Sequence, residues 1–167
     1  MDEYYIRPGQ DGVLFEEDMA SSKGPMISPE MYREFCLPAL QERVGRIRER
    51  GYQVLLHNCG NTRPLMPMFI EAGVQCYQSL QSIPEMEIDS LKKDFAERLT
   101  FWGGIAVEIL IQGTPDEVRQ NVRRAMQQGA QGGGFILGPS HSVAHNVQYD
   151  NFMTMLDEYN RLKKAYS

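Results

Sequence analysis

The stretch LLHNCGNTRP, residues 55–64, sets His57 and Cys59 two positions apart, directly after an apolar run and directly before a glycine. An imidazole nitrogen and a thiolate sulfur are both zinc ligands. In extended backbone, side chains two positions apart leave the same face, so one strand end can offer both atoms to a single ion. A second reading stays open on spacing alone, because a histidine and a cysteine flanking one residue also fit an ordinary polar turn. The other two histidines, His141 and His145, follow a different apolar run in the segment GGFILGPSHSVAH. His141 is the candidate for a third ligand from that second strand end, completing three protein ligands with one open position, as in a catalytic zinc. Without a metal, His141 reads as a general acid or base, or as a hydrogen-bonded loop histidine.

Strand ends imply strands, and the chain offers five: GVLFEED, YQVLLHN, VQCYQSL, LTFWGGI and GGFILGP. Their apolar runs lack strict alternation, as expected of parallel strands buried on both faces. Helical stretches fall between them. Ser28 reads as an N-cap with Pro29 at the first helical position, and Thr114 with Glu117 three residues on has the spacing of a capping box. Pro38 is expected to kink or split the helix between Pro29 and Arg50, and Gly51 to end it. Residues 151–166 read as a closing helix whose Phe152, Met155, Leu156, Tyr159 and Leu162 form a core-facing stripe. Gly132, Gly133 and Gly134 precede their strand, which excludes a phosphate loop.

Alternating strands and helices predict an α/β fold with a parallel sheet, either open and doubly wound or part of a (β/α)8 TIM-type barrel. A closed barrel takes about 250 residues, so five βα units in 167 residues predict an incomplete barrel, read as a single domain over 1–167. In either architecture chemistry gathers at the carboxyl ends of the strands. Those ends hold Glu16, Glu17 and Asp18; His57, Asn58 and Cys59; Gln78 and Gln81; Trp102, Gly103 and Gly104; and Ser140, His141 and His145. Asp18 and His141 are the catalytic candidates, Asp18 by orienting a ligand histidine or touching substrate. Glu17, Gln78, Trp102, Gly103 and His145 are candidate substrate contacts, with Glu16 and Glu17 also readable as a solvated rim. Trp102-Gly103-Gly104 fits a close approach of ligand to backbone or a tight βα turn equally well.

A net charge of −5 and a pI near 5.2 argue against nucleic-acid or anionic-membrane surfaces, which call for clustered Lys and Arg. No stretch reaches the roughly 20 apolar residues of a membrane span, and the start MDEYYIRPGQ is acidic and polar rather than basic and then apolar like a signal peptide. A cytoplasmic location is the expectation. Three cysteines at uneven spacing, Cys36, Cys59 and Cys76, suit reduced thiols or a ligand rather than a disulfide framework. Cys36 and Cys76 are expected to be buried small hydrophobes.

GPMISPEMYREFCLP, VLLHNCGNTRPLMPMFIEAGV, RLTFWGGI, GTPDEV and GGGFILGPSHSV, taken in order, resemble the carboxyl-terminal part of the uroporphyrinogen decarboxylase superfamily. Its other main branch contains the zinc methyltransferases that depend on corrinoid or cobalamin. The resemblance runs from about Val13 to the end and implies a (β/α)8 barrel of which this chain holds roughly the last five units. The zinc methyltransferases carry a histidine, one residue and a cysteine at a middle strand end, matched by His57 and Cys59. Their third ligand, usually a cysteine from the last strand end, corresponds to His141. The decarboxylases need no metal and have a histidine in the last strand's loop, which His141 also matches.

The methyltransferase branch implies zinc at His57, Cys59 and His141, a thiol that accepts a methyl group, and a corrinoid protein as donor. The decarboxylase branch implies porphyrin biosynthesis, with His141 contacting a substrate carboxylate or protonating the product. A third reading is a partial barrel inactive by itself, whose open sheet edges call for self-association or a second chain.

Overall fold

The computed structural model describes residues 6–166, so the first five residues of the polar amino-terminal stretch lie outside it. The chain divides into two compact units: one holds the described residues through Gln78 with Glu97–Thr100, the other Ser79–Ala96 with the residues from Phe101 onward.

The first unit opens with β1 (Gly12–Glu17), followed by a small hairpin of β2 (Ala20–Ser21) and β3 (Gly24–Pro25). α1 (Pro29–Met31) starts as the sequence predicts: Ser28 accepts the amide of Met31 through its hydroxyl, and Pro29 takes the first position. A helical proline lacks its N–H and its ring meets the carbonyl four residues back. The chain accommodates Pro38 by widening into a π turn over Tyr32–Cys36 before α2 (Leu37–Arg48) begins. Gly51, at φ 85°, turns the chain into β4 (Gln53–Asn58), and α3 (Met66–Ala72) leads to β5 (Cys76–Gln78).

β4 runs parallel to both neighbours, with Glu16 of β1 opposite His57 and Gln78 of β5 on its other side. Val54, Leu56 and Asn58 are fully buried, while Leu55 and His57 between them are partly exposed, the His57 side chain by 14%. The strand therefore alternates where its composition suggests burial on both sides. The buried row meets a core of Leu40, Val44, Ile47, Phe69 and Tyr77. Phe69 packs edge-on against Tyr32, with ring centroids 5.8 Å apart, and stacks on Tyr77 at 6.0 Å.

In the second unit, α4 (Ile88–Phe95) precedes β6 (Thr100–Ile105), α5 (Val107–Gln112), α6 (Pro115–Gly129), β7 (Phe135–Pro139) and α7 (Tyr149–Leu162). β6 and β7 are parallel, Trp102 opposite Ile136 and Ile105 opposite Pro139. The capping box forms: Thr114 Oγ1 accepts from the Glu117 amide at 3.3 Å, and Glu117 returns a carboxylate to the Thr114 amide at 2.7 Å. Past the end of α6, Gly132, Gly133 and Gly134 hold φ near 70°. The Lys92 ammonium sits on the carbonyls of Gly129, Gln131 and Gly133 at 2.6–2.8 Å, a charge placed against unpaired carbonyls of a helix carboxyl end.

α7 packs on α6, and its stripe includes two polar residues the pattern does not mark. Asn151 donates to the carbonyls of Leu110 and Gly113 at 3.3 and 2.8 Å. Glu158, only 5% exposed, accepts from Arg123 and Arg161 at 2.6 and 2.5 Å. The hydrogen bonds from Arg161, and the one from Arg123, hold its carboxyl down at about 2 against the upward push of burial. A carboxylate depressed in the folded state stabilises above its unfolded pKa and loses that contribution as pH falls through the folded value. Glu158→Gln is therefore expected to destabilise by about 1–2 kcal/mol at pH 7, a figure reduced because both arginines are half-exposed. The gap to wild type should close as pH falls from about 4.5 toward 2. Urea midpoints across that range measure it, and a gap that stays constant contradicts the account. No helix among the described residues is long and apolar enough to cross a membrane.

Candidate metal centre

The carboxyl end of β4 brings His57 and Cys59 together: Nε2 of the imidazole lies 3.2 Å from Cys59 Sγ. The parallel register sets Gln78 beside His57, and the Gln78 Oε1 faces His57 Nδ1 in a close hydrogen bond. A carboxamide oxygen only accepts, so Nδ1 carries the ring proton and Nε2 presents its lone pair toward the sulfur. Zinc bound to one nitrogen and one sulfur holds them about 3.5 Å apart. The observed pair needs to open by only about 0.3 Å to fit a tetrahedral ion. One soft and one borderline donor on one face match zinc.

The backbone between the two side chains is fixed from several directions. Asp18 Oδ1 accepts the Cys59 amide at 3.1 Å and stands 3.8 Å from His57 Nε2. Asn58 turns inward and accepts the Met19 amide on Oδ1 at 3.0 Å. Its carbonyl accepts the Tyr77 hydroxyl at 2.5 Å, and Thr62 lies 2.5 Å from the same hydroxyl oxygen. Since Tyr77 spends its one proton on Asn58, Thr62 donates to Tyr77. Burial holds the Tyr77 phenol protonated well above its usual range. Gly60 follows at φ 83°, where a Cβ would stand 2.5 Å from the Ala20 carbonyl oxygen. The position admits no side chain without moving the β2–β3 hairpin.

The other predicted residues fall as follows. Glu17 accepts from the buried Tyr32 hydroxyl at 3.2 Å and lies 4.0 Å from Arg43, so its carboxylate is tied to α2 and the turn before it. Cys76 is buried, which raises its thiol to about 12, whereas Cys36 is only half-buried. In the second unit, Trp102 and Gly103 lie inside β6 rather than past its end. Gly103 is approached by Leu80, and Gly138 leaves the space that the Trp102 indole fills. Ser140 is buried, its hydroxyl accepting the Val107 amide at 3.1 Å. His141 and His145 stand exposed on the loop beyond β7, and His141 Nδ1 accepts the Ser142 amide at 2.8 Å. Sequence reasoning missed Thr62 and Tyr77, although a tyrosine adjoining Gln78 in a strand beside the H-x-C strand was the available signal.

Parallel strands alternating with helices, with polar and ligand-type side chains at strand carboxyl ends, define an α/β protein of the TIM-barrel type, here part of one. The model of the uroporphyrinogen decarboxylase (URO-D) family matches residues 4–162, and the chain belongs to that family. It is similar to a methylated-thiol–coenzyme M methyltransferase from Methanosarcina mazei, 26% identical over 83% of this chain and 35% of the relative. It is also similar to a methylcobamide:CoM methyltransferase from Methanosarcina acetivorans, 23% identical over 91% of this chain and 42% of the relative. A solved methyltransferase from Methanosarcina mazei shares the fold at a TM-score of 0.76 and 19% identity, over 93% of this chain and 43% of its own. The chain thus spans less than half the length of these relatives.

Proposed function

We propose that the protein acts in zinc-dependent methyl transfer to a thiol, with His57, Cys59 and His141 as metal ligands and a corrinoid protein as methyl donor. The observation that carries this reading is the 3.2 Å approach of His57 Nε2 to Cys59 Sγ, with Nδ1 engaged by Gln78. A decarboxylase reading leaves that pair idle. The names of both curated relatives include coenzyme M, and one includes methylcobamide, which supports a thiol acceptor and a corrinoid donor. Zinc bound there supplies a Lewis acid that keeps an acceptor thiol in its nucleophilic thiolate form near neutral pH.

The chain's own residues do the rest. Cys59 gives up its thiol proton on binding metal, Asp18 holds the Cys59 amide, and Gln78 holds the ring of His57. For His141 to ligate through Nε2, its ring must give up the Ser142 amide, because Nδ1 must then carry the proton. An imidazole in place of a second thiolate, at the third ligand position, would leave the site one negative charge poorer, acidify a bound thiol further and make its thiolate a weaker nucleophile.

The same proposal includes self-association or a second polypeptide, in the cytoplasm. Among the described residues β1 and β7 each pair on one side only, and each exposes a large apolar side chain, Leu14 at 41% and Ile136 at 44%. Unpaired strand edges of that kind call for cover. Beside β7 an open groove of about 570 Å³ is lined by Phe135, Ile136, Leu156 and Tyr159. Size-exclusion chromatography with in-line metal detection, on protein purified without added metal or chelator, tests both parts. The expected result is close to one zinc per chain, eluting in a species heavier than the 19.1 kDa monomer. A zinc-free peak removes the metal reading, and a monodisperse monomer removes the partner.

A further inference from the structure

We infer that Gln78 is a positioning residue for the metal centre: its side-chain oxygen selects the tautomer and ring angle of His57 that can bind zinc. The inference rests on the zinc reading above and assigns Gln78 a task other than touching substrate. A neutral imidazole has two tautomers, and only the one protonated on Nδ1 leaves Nε2 free to ligate. Nε2 is the atom 3.2 Å from Cys59 Sγ, so the useful tautomer is the one that the Gln78 Oε1 stabilises at Nδ1.

The placement of Gln78 follows from the sheet. It ends β5 in parallel register with His57, so backbone pairing delivers the acceptor to the ring without a flexible loop between them. The preceding residue, Tyr77, is fully buried, stacks on Phe69 and donates to the Asn58 carbonyl at 2.5 Å. One short strand therefore fixes the H-x-C segment at two points: Tyr77 holds the peptide between His57 and Cys59, and Gln78 holds the ring. Partners behind a metal-bound histidine fix its orientation and raise its basicity, and losing one typically weakens metal binding by 10–100-fold.

The test compares zinc dissociation constants of the full chain by chelator competition for wild type, Q78M and Q78E. Spectra of the cobalt-substituted proteins and melting temperatures of the metal-free proteins accompany them. Q78M keeps the length of the side chain without an acceptor, and Q78E is an acceptor only. The expected result is 10–100-fold weaker zinc binding in Q78M with a shifted cobalt d–d spectrum, and binding within about threefold of wild type in Q78E. Metal-free melting temperatures should be alike, which a purely structural role would not give. Equal affinities in all three overturn the inference while leaving zinc in place, as does an equal loss in both variants. If wild type binds no zinc, the metal reading falls and this inference with it. If Q78M does not fold, Q78E decides: a loss beyond tenfold overturns the assignment.

Discussion

Alanine at either His57 or Cys59 is expected to lower zinc affinity by at least a thousandfold, from stoichiometric retention to loss during purification. Metal bound through nitrogen and sulfur ligands contributes on the order of 10 kcal/mol or more in total, so one ligand of three or four accounts for several kcal/mol. A thousandfold is about 4 kcal/mol. The metal-free fold should hardly notice, because both side chains are only partly buried and the Asn58 contacts with Met19 and Tyr77 persist without them. Metal analysis together with melting curves in chelator checks both halves. Retention of a full equivalent of zinc by both variants would place the ion elsewhere.

Phe69→Ala should produce the largest change in stability. Phe69 is fully buried between two tyrosine rings, edge-on to Tyr32 and stacked on Tyr77. Removing a buried phenyl ring typically costs about 3–5 kcal/mol, which in a chain of this size corresponds to a fall in Tm of roughly 6–20 °C. Phe69→Leu keeps most of the volume and should lose far less. Calorimetry of the two variants distinguishes them, and a loss below about 1 kcal/mol for alanine would show that the three rings do not carry the first unit's core. The effect should reach the metal pair as well, since Tyr77 is the donor to the Asn58 carbonyl.

Local chemistry made the helix starts legible. Ser28 before Pro29, and Thr114 with Glu117, form the caps their spacing predicts, because each satisfies backbone donors within three residues of itself. Pro38 announced a break, but the form it takes, one widened turn just ahead of the proline, depends on how the flanking helix packs. The H-x-C pair was legible because strand geometry alone sends residues 57 and 59 to one side. The partners of that pair were not. Gln78 meets His57 through the register of two strands 21 positions apart, and Asp18 meets Cys59 across 41; no local pattern encodes either. Trp102 and Gly103 are expected at a strand end, where the double glycine fits a close approach of ligand to backbone or a tight turn equally well. They continue the strand instead, with Leu80 filling the space beside Gly103 and the side chains of Ile88, Phe135 and Ala125 filling that beside Gly104. Glu158 is half legible: Arg161 three residues on is a local pairing signal, whereas Arg123 reaches it from 35 positions away and no local pattern marks the burial of the pair.

Gly60 has a consequence for anyone moving this site into another scaffold. The carbonyl of Ala20 lies where any side chain at position 60 would begin, and the Ser21 carbonyl accepts the next amide, that of Asn61, at 2.8 Å. The curl after the cysteine is thus moulded against a hairpin from elsewhere in the chain. Three residues copied onto a foreign strand would carry the His57 and Cys59 side chains but not the mould. The smallest piece that keeps the geometry of the His57–Cys59 turn is the H-x-C-G segment together with the segment from Asp18 to Pro25 and the Tyr77-Gln78 pair.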